Sequence, residues 1–306
     1  MNIFVTGAAG FVGGALVARL RANGAAVAGA DGEVDVTDAA RVRDAFAAAR
    51  PDAIVHLAAI SSVSEAEADA LRSFRVNYLG TRAVLAGAAA AAPRARVLLA
   101  SSCVVYGSAA PSAPPFDETA PLRPRDAYAR SKAAADLLGA AFAGRGLDVV
   151  RARPWNHTGA GRPDRFVEAS LARQLAEIEA GLRPPRLEVG SLDSVRDFLH
   201  VDDVVDAYWA LLQPGVPAGV YNVASGRGLT IRALLERLLA RSAARPEVVV
   251  DPARVRPPDA TTGAAAKLAR ATGWAPRREL EVALDELLAS WRSEIARRAA
   301  GKAAVS

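Results

Sequence analysis

Short apolar runs alternate along this chain with longer segments whose apolar positions recur at helical spacing. Residues 2–6 read as a strand. After a glycine turn, residues 11–20 read as an apolar-faced helix ending near Asn23-Gly24. Strand-like runs follow at 25–30, 53–57, 96–100, 148–150 and 220–223, with helical patterns at 39–50, 65–92 and 126–145. This alternation predicts an α/β fold of the Rossmann type, a doubly wound parallel sheet with helices on both faces. Right-handed crossovers set the carboxyl ends of such strands along one edge, where open α/β sheets bind ligands.

The 306 residues are 51% hydrophobic and 23% charged, which suits a globular chain with a full core. No uninterrupted apolar run approaches the roughly 20 residues of a membrane span. The strand that begins at residue 2 leaves no room for a secretory leader. One cysteine, Cys103, excludes an intrachain disulfide framework and suits a reducing, cytoplasmic setting. The net charge of +5 comes from scattered arginines without interleaved aromatics. That pattern argues against nucleic acid and suits an anionic small-molecule partner.

Candidate chemistry begins at Gly7-x-x-Gly10-x-x-Gly13, between the first strand and its helix. A helix N-terminus offers free N–H groups and a positive dipole end to a dinucleotide pyrophosphate. Asp31 follows the second apolar run at the distance expected of a carboxylate that holds an adenosine ribose. An anion there repels a 2′-phosphate, and residues 32–40 contain no Arg or Lys, so NAD(H) is favoured, with NADP(H) left open. Asp31 also fits an ordinary turn before Gly32. The cluster Asp35-Val36-Thr37-Asp38 fits a contact at the adenine edge and a cap on the helix at 39–50, and the two are compatible.

Tyr128 and Lys132 are four residues apart on a predicted helix and so share one face. The Lys132 ammonium is expected to lie near the Tyr128 phenol and favour its ionised form, giving a proton donor and acceptor for hydride chemistry. The Ser102 hydroxyl is expected to hold a carbonyl or alcohol against that phenol. Cys103 reads as a packed free thiol, with no activating base nearby in sequence.

Composition changes beyond Arg153. A loop at 154–164 leads to a helical pattern at 166–180 that stops at Gly181. Leu187-Glu188-Val189, a strand at 248–250 and a Pro/Arg-rich loop at 251–259 follow. Residues 195–223 read as a return to the main sheet. The expected division is a dinucleotide-binding domain of 1–153 with about 191–225, a smaller discontinuous C-terminal substrate-binding lobe of 154–190 with about 226–298, and a tail at 299–306.

Six ordered motifs resemble the extended short-chain dehydrogenase/reductase family of nucleotide-sugar epimerases, dehydratases and reductases. They are Thr6 to Gly13, His56-Leu57-Ala58-Ala59, Asn77, Ser101 to Gly107, Tyr128-Ala129-Arg130-Ser131-Lys132, and Arg196 to Asp203. The resemblance implies catalysis by Ser102, Tyr128 and Lys132 without a metal. It implies dinucleotide contacts at Gly7, Gly10, Phe11, Val12 and Gly13, and at Asp31, Asp35 and Val36. Leu57, Ala58, Ala59, Asn77, Tyr128, Lys132 and Pro154 complete that set.

Through Arg153 to Gly159, Phe166 to Gly181, Leu187 to Gly190, Val220 to Gly226 and Asp251 to Asp259, the C-terminal half is most similar to the branch that reduces a GDP-linked 4-keto-6-deoxyhexose, giving GDP-D-rhamnose or its C4 epimer. That similarity implies substrate contacts from Ser102, Asn156, Val189, Arg196, Arg256 and Asp259. Each arginine also fits a structural ion pair. Relatives that dehydrate the sugar carry an acidic residue after the serine, whereas this chain has Cys103-Val104, which disfavours 4,6-dehydration. Trp155 stands where Phe is more usual. A C4 epimerase with tightly bound NAD+ and a non-catalytic dinucleotide sensor are the alternatives on this scaffold. The family resemblance implies a homodimer formed through the helical regions 65–92 and 126–145, a pattern that also fits helices packed only on their own sheet.

Overall fold

The structure, a computed structural model, describes residues 1–29 and 34–303. Asp31 lies outside the described residues. The chain opens with β1 (Asn2–Thr6), α1 (Phe11–Ala22), β2 (Ala26–Gly29), α2 (Ala39–Ala49) and β3 (Ala53–His56). It continues through α3 (Val63–Ala68), α4 (Ala70–Phe74), a π-helical turn at Arg75–Leu79, α5 (Gly80–Ala91) and β4 (Arg96–Ala100). A 3-10 turn at Cys103–Tyr106, α6 (Ala127–Ala143) and β5 (Val149–Pro154) complete the first half.

The second half carries β6 (Asn156–Thr158), α7 (Val167–Glu179), β7 (Arg186–Val189), β8 (Val195–His200), α8 (Val201–Leu211) and β9 (Gly219–Val223). After these come β10 (Gly228–Thr230), α9 (Ile231–Ala240), β11 (Glu247–Val250), β12 (Ala260–Thr261), α10 (Ala266–Thr272) and α11 (Leu280–Ala303).

Among the described residues the main sheet has six parallel strands in the order β2-β1-β3-β4-β5-β9. Strand direction of travel reverses at β1, so the switch point lies between β1 and β3, above the Gly7 turn. Neighbouring residues on each strand feed opposite cores. Ile3, Val5, Ala53, Val55, Leu98 and Val150 pack with α1 and α8, while Phe4, Ile54, Val97 and Val149 pack with α2 and α5. Burial on both faces is why these strands read as continuous apolar runs rather than as alternating ones.

A separate core of Leu171, Leu175, Leu187, Leu234, Leu238, Leu284 and Leu287 joins α7, β7, α9 and α11. β8 does not extend the main sheet as expected; it pairs with β6, β10 and β12 in a small sheet, and α8 and β9 make the return. The buried carboxylate of Asp197 on β8 draws in the Ser225 and Gly226 amides at 3.0 Å each and the Gly263 amide at 3.3 Å. These bonds anchor β8 to the loops of the second lobe.

Two helical expectations change. The region 65–92 is broken, because the Asp69 side chain accepts from the Arg72 amide and starts a new helix directly after α3. Asn77 then spends its amide across the π-helical turn, accepting from the Ile60 N–H at 2.8 Å and donating to the Ile60 carbonyl and to Ser131 Oγ. At the other end, α11 continues through Ala303, past the expected tail boundary at 299. Its last turns carry the Glu294–Arg298 pair at 2.7 Å, spaced i,i+4.

Candidate active site

One cleft of about 860 Å³ runs along the carboxyl edge of the main sheet and under the second lobe. Its floor is the turn between β1 and α1. Gly7 has φ +74, and a Cβ there would lie 2.7 Å from the Ala58 amide nitrogen; a Cβ on Gly13 would lie 2.0 Å from the Gly7 carbonyl oxygen. Only glycine lets the turn fold this tightly against Leu57-Ala58. Gly10 caps α1 with no side chain, and Gly10 to Gly13 line the cleft, so the first helical amides and the positive dipole end are presented there. This cradle fits the pyrophosphate of a dinucleotide.

Above the cradle stand Ser102, Tyr128 and Lys132, all lining the cleft. Ser102 leaves β4 in extended conformation and caps the 3-10 turn through the Val104 amide. Asp126 caps α6 by accepting from the Ala129 amide at 2.7 Å, which fixes the first turn that carries Tyr128. One turn later, the buried Lys132 donates from Nζ to the Ala100 carbonyl at 2.5 Å.

Electrostatics here differ from the sequence expectation. The protein packed around Tyr128 pushes its phenol up to about 12, with the Ser102 hydroxyl drawing it back and the Cys103 and Asp126 groups opposing. Arg162 is the cationic side chain that draws it down. Burial holds Lys132 down to about 8, and the charge of Asp136 works the other way. Burial would raise Asp136, but its bonds to Arg153 and Arg151 outweigh that and keep it ionised. Burial also raises the Cys103 thiol to about 12, so the residue beside Ser102 is neutral and no base at ordinary pH.

The remaining expected residues divide by position. Phe11, Val12, Leu57, Ala58, Ala59 and Pro154 line the cleft, as do Asn156, Arg196 and Asp259. Arg196 and Asp259 pair with each other at 2.8 Å, so the expected anion contact and the expected ribose contact are held together. Five others do not line the cleft. Asn77 is buried and ties Ile60 to Ser131. Val189 is buried in the second-lobe core. Val36 packs over Gly80 between α2 and α5. Arg256 turns its guanidinium back on the Ala253 and Val255 carbonyls. Asp35 bonds the Thr37 amide and hydroxyl, and Asp38 caps α2.

Several wall residues had no signal in the sequence. Ser61 to Ser64 form one side, while His157 arrives from β6, and Arg162, Arg165 and Phe166 from the loop between β6 and α7. His157 is held neutral, down to about 3, by the protein around it, and its Nδ1 donates to the Trp155 carbonyl at 2.8 Å. Trp155 is buried against Tyr106 at 5.8 Å between ring centres. Among the described residues, five cations line the cleft (Arg125, Lys132, Arg162, Arg165, Arg196) against two carboxylates (Asp126, Asp259), a surplus that favours an anionic occupant.

Residues 3–224 match the NAD dependent epimerase/dehydratase family. The chain belongs to this family. It is 40% identical over 299 residues to GDP-6-deoxy-D-mannose reductase of Pseudomonas aeruginosa, with 96% of this chain and 98% of the relative covered. Its fold superposes with TM-score 0.89 on RMD from Pseudomonas aeruginosa complexed with NADPH, at 39% identity over 96% of this chain and 99% of that one. The UDP-glucose 4-epimerase of Thermus thermophilus, in complex with NAD, matches with TM-score 0.86 at 29% identity, covering 95% and 99%. As a member of the epimerase/dehydratase family the chain is an NAD(P)-dependent enzyme of the nucleotide-sugar type. No helix among the described residues is long and apolar enough to cross a membrane.

Proposed function

We propose that this chain reduces a nucleotide-linked 4-keto-6-deoxyhexose, most specifically GDP-4-keto-6-deoxy-D-mannose to GDP-D-rhamnose or its C4 epimer. The observation that carries the reading is the wall of Ser102, Cys103 and Tyr128 facing the glycine cradle across one cleft. A bound reduced dinucleotide supplies the hydride. Tyr128 delivers its phenolic proton to the oxygen developing at C4, and Ser102 orients that oxygen and shares its charge. Lys132 bridges the end of β4 and the cofactor side of the cleft. The cationic surplus receives the diphosphate, for which Arg196 offers a planar guanidinium. Where a dehydratase needs an acid and base beside the serine, this chain presents a neutral buried thiol, which leaves reduction without elimination.

Asp31 and the lack of Arg or Lys in residues 32–40 favour NADH, whereas the Pseudomonas relative was captured with NADPH. The deciding assay follows oxidation of each reduced dinucleotide with GDP-, UDP-, CDP- and dTDP-4-keto-6-deoxysugars and reads the product configuration by NMR. Consumption with the GDP-linked ketosugar, faster with NADH, is expected. Turnover of only a non-GDP compound would remove the GDP assignment. Copurified NAD with no net consumption, and interconversion of a sugar pair, would move the chain to the C4 epimerases, a reading supported by the similarity to the Thermus enzyme.

A further inference from the structure

Tyr208 is a second phenol on the cleft, and the reaction derived above makes no use of it. It stands on α8, which begins beside β6, where His200 pairs with Thr158. From there α8 runs to the amino edge of the sheet, where the Leu211 carbonyl accepts from Arg96 at 3.0 Å. Tyr208 lies near the far end of that helix. Long helical side chains lean back toward the helix N-terminus, and this lean carries the phenol up toward the cleft.

The residue is 1% exposed, and its ring packs with Leu16, Leu199 and Val204 in the core between α1, α8 and the sheet. Val12 and Ala8 of the glycine turn pack on the same core. Two other buried tyrosines are paired within the protein: Tyr106 donates to Asn222 and Tyr221 to the Pro217 carbonyl, each at 2.8 Å. Among the described residues the Tyr208 hydroxyl has no such partner, because its neighbours in the core are apolar. It is not sealed in the wall either, as the unpaired Trp155 Nε1 is; Tyr208 belongs to the lining of the cleft. A buried hydroxyl left unpaired is costly, so this one is placed to bond what the cleft receives.

Resting on the reading of a dinucleotide-dependent reductase, we propose that Tyr208 is a cofactor-binding residue whose hydroxyl holds the carboxamide of the nicotinamide ring. The pyrophosphate belongs at the glycine turn after β1, and the adenosine ribose at the end of β2, one edge of the sheet. The nicotinamide half therefore extends from the turn toward β5, on the other side of β1. That is where α8 packs, against α1, β5 and β6. A carboxamide offers a carbonyl acceptor and an N–H donor, and a neutral phenol can meet either. Burial pushes the Tyr208 phenol up from its ordinary 10, with Tyr128 acting in the same direction, so the hydroxyl keeps its proton. Held by its carboxamide, the ring does not turn over, and one face of its C4 stays toward the sugar.

The variant Tyr208→Phe removes the hydroxyl and leaves the ring. Without ligand it should melt at the parental temperature; a clear fall would mark a structural bond and overturn the proposal. Calorimetric titration then compares NADH with ADP-ribose, which lacks the nicotinamide, or NADPH with 2′-phospho-ADP-ribose where NADPH is the tighter ligand. Affinity for the reduced dinucleotide should drop about fivefold, the worth of one neutral hydrogen bond, with affinity for the nicotinamide-free probe unchanged. An undiminished affinity for the reduced dinucleotide overturns the proposal and leaves the hydroxyl to water. An equal loss for both probes overturns it too, since the bond would then lie at the pyrophosphate or a ribose. Neither titration uses a sugar: a loss confined to the reduced dinucleotide, in a chain that reduces no ketosugar, would refute the reductase reading and leave the Tyr208 assignment standing.

Discussion

Tyr128 is the residue on which the chemistry turns, and what surrounds it is not what its sequence neighbours suggest. Its spacing to Lys132 correctly predicts a shared helix face, because the rise of α6 is a local property. The acidity of the phenol, however, is set first by the depth of packing around it, with the Ser102 hydroxyl and the Arg162 guanidinium, more than thirty positions away in the chain, acting against that burial. Tyr128→Phe is expected to lower kcat of ketosugar reduction by roughly 10²–10⁴-fold while changing dinucleotide affinity little, since the ring remains and only the transferable proton goes. Steady-state kinetics beside a dinucleotide titration checks this; a near-parental rate would end the proton-donor role. Arg162 itself carried no signal, because an Arg-Pro pair in a loop reads as a solvated turn until the aromatic faces of Phe11 and Phe166 are folded around it.

At the scale of elements, strands were legible wherever burial on both faces demanded continuous apolar runs, and β4 falls on the expected residues 96–100. Helix interruptions were not. Asp69 and Asn77 are ordinary polar residues of a helical pattern until one caps a new turn and the other finds Ile60 and Ser131 across space. The same distinction gives α1 a sharp prediction, because its two adjacent glycines differ only in what lies beyond them. A Cβ on Gly13 meets the Gly7 carbonyl at 2.0 Å, whereas one on Gly14 meets nothing within 4 Å. Gly14→Ala should stabilise the protein by about 1 kcal/mol in urea unfolding, through helix propensity alone. Gly13→Ala should abolish measurable dinucleotide binding by calorimetry. Equal behaviour of the two would show that the cradle is not pinned as described.

For the whole molecule, two histidines set its response to mild acid. Burial holds both His56 and His157 down to about 3 from an ordinary 6.5. His56, the last residue of β3, is wedged between the Thr6 and Thr81 hydroxyls at 2.7 and 3.1 Å, and His157 lies on β6. The unfolded chain takes up these protons near 6.5 and the folded chain only near 3. The stability they contribute is therefore complete above 6.5 and drains away as the pH falls toward 3. Glu179, held down to about 2 by its Arg292 bonds, adds its own loss only below the ordinary 4.5, so between 6.5 and 4.5 the histidine loss stands apart from it. Calorimetric melting between about pH 7 and pH 5 should show a clear fall in Tm, and His56→Gln with His157→Gln should flatten it. An equally steep fall in the double variant would place the acid sensitivity elsewhere.

The sequence by itself determined the order of strands and helices, the glycine cradle and the Ser102, Tyr128 and Lys132 positions. Each of these depends on spacing within a few residues or on the period of burial along one element. Tertiary structure alone decided that β8 leaves the main sheet, that Asn77 braces a π-helical turn, and that the Arg256 guanidinium bonds its own loop's carbonyls. It also brought Arg162 to the catalytic wall. The reason is physical: a charge buried among aromatic rings, or a polar side chain bonded across more than a turn of helix, owes its energy to groups the chain brings near only by folding.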